Sequence, residues 1–387
     1  MKAVVYKGQD RIALAEVPDP EIETPTDAVV GIETTSMCGL DIHAVHGTLG
    51  KMRPGTIIGH EGTAIVERLG SDVRDLKEGD RVAVCSTIAC GWCASCKAGN
   101  YSMCDTVQDR FQSDGCSFFG GPEPYGGVDG LQAEKARIPF ANVTLVKLPD
   151  DVSDDQALFL SDLFPAGYFA AESASVRPNQ NVAVFGCGPV GQFAIASAKL
   201  LGAGRVIGLD SIGYRLDMAR RQGAEVVDLE TEDPVETIRR LTGGFGADRV
   251  IDAVGVDVHH WHPLLSDGNA NADDIFNDAG YRASTWAIRS AAKGGTVTLV
   301  GVYPREVKAY PIGEAMRKNI TIKTGHCNHR KYVPRLIELI QNGTVDPLEI
   351  YTHKTPFTGV RDAYEAVKNR DAGWIRMERF YAFSKPI

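Results

Sequence analysis

The stretch NVAVFGCGPVG, Asn181 to Gly191, decides the fold of this 387-residue chain. An apolar strand, NVAVFG, runs straight into Gly186, Gly188 and Gly191, spaced G-x-G-x-x-G, and a helical segment, PVGQFAIASAKLLGA, follows. Three glycines at that spacing are a weak signal alone. Closing a strand and opening a helix is the context the motif requires. Glycines let the backbone turn tightly and approach a pyrophosphate, which sits at the positive end of the helix. Pro189 and Val190 lie inside the same loop and join the three glycines as expected cofactor contacts. Asp210 ends the next strand, RVIGLD, nineteen positions after Gly191. A carboxylate there accepts hydrogen bonds from ribose hydroxyls and repels a 2′-phosphate, which favours NAD over NADP. Arg215 stands close behind and softens that preference. The bland alternative is a glycine-rich packing turn followed by an unrelated acid.

Outward from this loop the rhythm continues. A helix, GYRLDMARRQG, and the strands EVVDL, DRVIDAVG, GTVTLVG and ITIKTG complete a series of six apolar strands. Apolar strands alternating with amphipathic helices predict a doubly wound parallel sheet, an α/β architecture covered on both faces. Residues 257–280, polar and rich in Asn, Asp and Gly, interrupt the series as a surface insertion before a helix in YRASTWAIRSAAKGG. The HHWH run (His259, His260, His262) belongs to that insertion and reads as solvated or lid sequence. Before about residue 155 the chain is different: KAVVY, DAVVGIETT, GTAIVERLG, DRVAV and ARIPFANVTLVKL are short β-branched runs broken by Gly, Pro and Asp. The tail from HRKYVPRLIELIQNG onward is expected to fold back onto that first domain. A chain of this length is too long for one ordinary core. Its net charge of −9 disfavours a nucleic-acid or anionic-membrane partner. The start, MKAVVYKGQDRIALAEVPDP, is not a signal peptide, and no apolar run is long enough to span a bilayer. The expected compartment is the cytoplasm, where thiols stay reduced.

That compartment bears on ACGWCASCKAGNYSMC, residues 89–104, which holds Cys90, Cys93, Cys96 and Cys104 as C-x2-C-x2-C-x7-C. Disulfides are disfavoured there. An iron–sulfur cluster is a second alternative, since closely spaced cysteines also serve clusters. Four thiolates on one short loop suit a tetrahedral zinc with every position filled, a structural site without catalytic capacity.

Two further segments each carry good zinc ligands: Cys38 in SMCGLDIH, and His60 with Glu61 in IIGHEG. Taken singly, each reads as a buried cysteine or a turn histidine. Taken with the cysteine loop and the nucleotide motif, the set resembles the zinc-containing medium-chain alcohol dehydrogenases. The resemblance covers essentially the whole chain and rests on MKAVVY, C-G-x-D-x-H, G-H-E, the four-cysteine loop, G-x-G-P-V-G and GTVTLVG. LFLSDLFPAGYFAA, with Asp162, resembles the branch of glutathione-independent formaldehyde dehydrogenase and formaldehyde dismutase.

The resemblance implies two zinc ions per chain and NAD. It also implies a mainly β GroES-like catalytic domain over residues 1–155 and 326–387, with a structural zinc lobe near 88–106, and an NAD-binding Rossmann domain over 156–325. Cys38, His60 and Asp162 are the implied catalytic zinc ligands, where many relatives use Cys or Glu in place of Asp162. A helix N-cap is the plainer reading of that acid. Glu61 is similar to the family's adjacent acid, which can exchange onto the metal. Asp41 resembles the carboxylate that orients the histidine ligand, and His43 resembles the terminal histidine of the proton relay. One departure stands out: the usual Ser or Thr two residues after the zinc cysteine is Leu40, so a water, Glu61 or Thr48 has to replace that hydroxyl. Leu40, Thr48, Phe111, Phe118 and Phe119 are candidate pocket residues, and His326 and His329, which flank Cys327, read first as packing residues, with an approach to the cofactor or an interface as the alternative.

The implied reaction is hydride transfer between a small alcohol or aldehyde and NAD, in a homotetramer or a dimer. Alternatives are an aldehyde dismutase with tightly held NAD, a polyol- or threonine-type dehydrogenase, and a non-catalytic nucleotide-binding protein.

Overall fold

A computed structural model describes residues 1–256, 281–307, 310–350, 353–356, 359–370 and 375–378. The polar segment 257–280, with its three histidines, lies outside the described residues. The chain forms two compact units, Met1–Pro165 with Cys327–Ile387, and Ala166–His326.

The first unit is mainly β. A hairpin pairs β1 (Lys2–Gly8) with β2 (Arg11–Glu16). The larger sheet is built from β3 (Ala28–Ser36), β4 (Gly62–Leu69), β5 (Arg81–Val84), β6 (Lys135–Ile138) and β7 (Leu145–Lys147). β3 is its hub: it pairs antiparallel with both β4 and β6. The run ARIPFANVTLVKL is not one strand but two. Pro139 has no N–H to give a ladder, Phe140 takes φ +53°, and a one-turn helix, Ala141–Thr144, separates β6 from β7. Ile32, Val66, Val84, Phe119, Leu131 and Ile138 are among the buried residues of the core beneath this sheet.

In the second unit, β8 (Asn181–Phe185), β9 (Arg205–Asp210), β10 (Glu225–Asp228), β11 (Ala247–Asp252), β12 (Ala291–Leu299) and β13 (Thr321–Thr324) form one sheet in the order β10-β9-β8-β11-β12-β13. Every neighbouring pair is parallel. The near-continuous apolar strands have a direct cause. On β8, Val182 and Val184 enter one hydrophobic cluster while Ala183 and Phe185 enter another, because successive side chains point to opposite faces. Both faces are covered, so neither can be polar. Strand order reverses between β8 and β11, the place where a doubly wound sheet opens a crevice at its strand ends. Two more strands, β14 (His353–Pro356) and β15 (Ile375–Glu378), close the other unit: β15 runs antiparallel to β3, pairing Arg376 with Ser36.

The turn after β8 admits no side chains at two of its glycines. Gly186 sits at φ +85°, and a Cβ on Gly191 would lie 1.8 Å from the Gly186 carbonyl oxygen. Gly191→Ala is therefore expected to destabilise the protein by about 1–3 kcal/mol through overpacking against backbone, read as a lowered denaturation midpoint. An unchanged midpoint would contradict the close approach.

Candidate metal and dinucleotide sites

Asp41 organises the first site. It lies in the first turn of the helix Gly39–His46, directly after β3, and is 3% exposed. Its Oδ2 accepts a hydrogen bond from the Cys38 backbone N–H at 2.9 Å. Its Oδ1 lies 3.0 Å from Nδ1 of the fully buried His60. One carboxylate thus sets the backbone at Cys38 and the ring of His60, and turns His60 Nε2 away from Asp41. That Nε2 has no hydrogen-bond partner. It faces Asp162 Oδ2 at 3.6 Å and Glu61 Oε1 at 3.7 Å. One donor atom each from Cys38, His60, Glu61 and Asp162 lies within 4.8 Å of the others, and all four residues are buried.

Asp162 reaches this point through a helix break. The helix Asp154–Ser161 ends on it at φ −145°, and the helix Leu163–Ser173 starts at the next residue, with Pro165 in its first turn. Asp162 therefore stands between the two helices with its side chain buried. Ser161 sets the break: its hydroxyl donates to the Val84 carbonyl and accepts the Gly62 N–H at 2.9 Å, tying the ends of β5 and β4 to this helix. Ser36 plays a similar part for Glu61, donating its hydroxyl to the carboxylate.

The electrostatics of the cluster follow from burial and crowding. Burial, with the Glu61 charge second, pushes the Cys38 thiol up to about 12. Burial, and then the charge of Asp162, raises Glu61 to about 8. Asp162 is also buried, yet its contacts with His329 and His60 outweigh that and keep it ionised well below the ordinary carboxylate range. His60 is driven above its usual value, against burial, by Asp41 and Asp162. The surroundings thus demand positive charge at the centre of the cluster. Thiolate, imidazole and carboxylate are the donor types zinc takes, and the orphaned Nε2 and Glu61 Oε1 point the same way. The residues fit a metal.

The other candidate residues divide. His43 Nδ1 lies 3.4 Å from the Thr48 hydroxyl, at the end of the same helix. Phe118 meets His60 edge-on, with ring centroids 6.1 Å apart. Phe119 instead is wholly buried in the core, and Phe111 packs at that core's edge. His329 is not a mere packing residue: its Nε2 lies 2.8 Å from Asp162 Oδ1 and its Nδ1 3.1 Å from the Thr87 hydroxyl. Ser36, Thr87 and Ser161, and the contact of His329 with Asp162, escape sequence reasoning because Ser, Thr and His carry no spacing signature. The one local hint is Ser161 directly before the acid.

The cysteine loop forms a second cluster, with donor atoms again within 4.8 Å. Cys90 and Cys96 sulfurs are 4.0 Å apart and those of Cys93 and Cys104 3.8 Å. Sulfurs at the corners of a zinc tetrahedron with bonds of about 2.3 Å stand about 3.8 Å apart. A disulfide needs about 2.05 Å. Backbone N–H groups also aim at the sulfurs: Cys90 N to Cys104 at 3.3 Å, Cys93 N to Cys90 at 3.3 Å and Cys96 N to Cys93 at 3.4 Å. Burial opposes ionisation of Cys93, yet the Cys96 N–H and neighbouring donors bring it down to about 7. Burial instead pushes the Cys96 thiol up and the Cys104 thiol up to about 11, so it is the spacing of the sulfurs that fits zinc.

In the second unit, Gly188 precedes the helix Pro189–Leu200. A Cβ placed there would meet nothing nearer than an Arg215 guanidinium nitrogen at 3.7 Å. Protein packing does not demand a glycine at this point, which leaves the backbone open to close approach of a ligand. Asp210 Oδ2 accepts the Cys187 N–H at 2.8 Å, and Oδ1 accepts those of Ser211 and Ile212. The acid at the end of β9 is thereby held against the glycine loop. Arg215 lies 3.7 Å from it.

Two family models match: the alcohol dehydrogenase GroES-like domain over residues 24–150, and the zinc-binding dehydrogenase model over 189–261. An uncharacterized zinc-type alcohol dehydrogenase-like protein of Bacillus subtilis is 37% identical, covering 94% of this chain and 96% of its own. An alcohol dehydrogenase of Cupriavidus necator is 32% identical over 97% of this chain and 98% of its own. Among solved structures, the alcohol dehydrogenase TADH from Thermus sp. ATN1 superposes with a TM-score of 0.81 at 32% identity, covering 98% of this chain and 99% of that one.

Replacing Ser161 with Ala strips the Gly62 N–H of its buried partner. The expected cost is about 1–3 kcal/mol of stability, read as a shift in the denaturation midpoint. A variant as stable as the parent would mean that Ser161 does not pin these segments together.

Proposed function

This chain belongs to the zinc-containing medium-chain alcohol dehydrogenase family, and from that premise we propose how its own residues serve a zinc-dependent oxidoreductase that transfers hydride between small alcohols or aldehydes and NAD. The observation that carries the reading is the buried convergence of Cys38, His60, Asp162 and Glu61 donor atoms within 4.8 Å of one another. Cys38, His60 and Asp162 are assigned as ligands of the catalytic zinc, with Glu61 as the acid able to exchange onto it. Zinc held there with one position open supplies Lewis-acid polarisation of an alcohol or carbonyl oxygen.

The protein groups around it have separate tasks. Asp41 fixes the orientation of His60 and leaves Nε2 for the metal. Ser36 holds Glu61 in place beside it. Phe118, against the His60 ring, supplies an apolar wall suited to a small substrate. Leu40 offers no hydroxyl, so proton transfer at this site is assigned to the Thr48–His43 contact. In the dinucleotide unit, Gly186, Gly188, Pro189, Val190 and Gly191 receive the pyrophosphate at the helix N-terminus, and Asp210 receives the ribose, with Arg215 beside it. Cys90, Cys93, Cys96 and Cys104 hold the structural zinc. Homotetrameric assembly and a cytoplasmic setting belong to the same proposal and rest on the family resemblance and the cysteine usage. Among the described residues no helix is long and apolar enough to cross a membrane.

The two metal assignments separate by mutation. Purified protein is expected to carry two zinc ions per chain and to form NADH, followed by its near-ultraviolet absorbance, with a panel of small alcohols. Cys38→Ser is expected to lose one zinc and turnover by several orders of magnitude, with a smaller drop in thermal midpoint than the Cys96 variant. Cys96→Ser is expected to lose the other zinc and to unfold at lower temperature. Full activity in the Cys38 variant would overturn the catalytic assignment.

A further inference from the structure

His329 stands 242 positions from Thr87 in sequence, yet its ring bridges that hydroxyl and Asp162. The histidine side chain is 4% exposed and the acid's 11%. Asp162 divides its two oxygens: Oδ1 lies 2.8 Å from His329 Nε2, and Oδ2 faces His60 Nε2 at 3.6 Å. At 2.8 Å the approach to Oδ1 is that of a charge-assisted contact, although the ring is turned enough that no aligned hydrogen bond forms. With the Thr87 hydroxyl 3.1 Å from Nδ1, Nε2 is the ring nitrogen that faces Oδ1.

The histidine is itself anchored. It opens the helix His329–Gln341, and the residue before it, Asn328, takes two hydrogen bonds on its side-chain oxygen, from the Ser102 N–H at 2.8 Å and the Ser102 hydroxyl at 3.0 Å. Ser102 lies in the short turn Tyr101–Met103, immediately before Cys104. A continuous chain of contacts therefore runs from the cysteine lobe, through Ser102 and Asn328, to His329 and Asp162.

We infer that His329 is a positioning residue for the metal-dependent reaction: braced by Thr87 and registered to the cysteine lobe through Asn328, it ties down Oδ1 of Asp162 and presents Oδ2 alone to the metal. This rests on the reading of Asp162 as a ligand. It mirrors the other side of the site, where Asp41 orients His60; there a carboxylate positions a histidine, and here a histidine positions a carboxylate. A carboxylate free at both oxygens can rotate or bind through both, and would occupy the position a substrate oxygen needs. Partners of metal ligands typically affect metal affinity by about 10–100-fold.

The test measures zinc release from the holoenzyme to a chromogenic chelator, together with the visible spectrum after cobalt exchange at the catalytic site. His329→Ala is expected to speed release of one zinc per chain by about 10–100-fold and to shift the cobalt bands, with release of the other zinc unchanged. His329→Gln, which keeps an N–H donor, should recover much of the slow release. Thr87→Val and Asn328→Ala, which leave the ring in place, should each speed release of the same zinc to a smaller extent, and they decide the matter if His329→Ala does not fold. Asp162→Asn is the control. If it leaves zinc content, release and cobalt spectrum unchanged, Asp162 is not a ligand and the underlying reading fails. If Asp162→Asn loses the catalytic zinc but the His329, Thr87 and Asn328 variants release zinc as the parent does, the inference about His329 alone is overturned.

Discussion

Asp41 takes a hydrogen bond from the backbone of Cys38 on one oxygen and faces the ring of His60 with the other. The geometry of the metal cluster depends on this carboxylate, because it couples the start of a helix to the start of a strand and sets which imidazole nitrogen faces inward. It also creates a constraint. Asp41, Glu61 and Asp162 crowd around one imidazole with almost no access to water. Taking a carboxylate out of water costs several kcal/mol even after relaxation. Such a cluster is eased by protonation of Glu61 or by positive charge, and His60 is accordingly pushed toward its charged form. A divalent cation satisfies the same demand more completely, which is why the arrangement is better understood as a metal site than as a core ion pair.

Holding such a cluster requires rigid support from backbone. Ser161 binds the helix that ends at Asp162 to the ends of β4 and β5, and Ser36 extends from the end of β3 to Glu61. Each candidate ligand thus stands within two residues of a regular element, where the backbone is already ordered. The cysteine lobe works on another principle. Its four sulfurs come from one short loop, its amides point at the sulfurs, and no distant segment is needed to assemble it. In the dinucleotide unit the constraint is steric. Gly191 has no room for a methyl, while Gly188 has room that packing leaves unused.

These differences govern how much could be read in advance. The parallel sheet was legible because burial on both faces forces long apolar strands, and the glycine turn between β8 and its helix has few substitutes. The cysteine lobe was legible because zinc spacing is local. Cys38, His60 and Asp162 were legible as candidate ligands only through the resemblance to a family, since each motif alone is compatible with ordinary packing. The split of residues 136–148 into two strands was missed, although Pro139 offered a signal. The insertion at 257–280 lies outside the described residues.

By itself the sequence determined what is set by short-range chemistry: the strand periodicity, the turn that only glycine fits, the four thiols on one loop and the acid that ends β9. Only the tertiary structure decided that Ser161 links three elements, that Phe118 rather than Phe119 meets His60, and that His329 stands against Asp162 instead of packing anonymously. Those contacts join residues as far apart as 242 positions. Hydroxyls and imidazoles occur throughout any chain without a period, so nothing local distinguishes the few that the fold brings to a metal ligand.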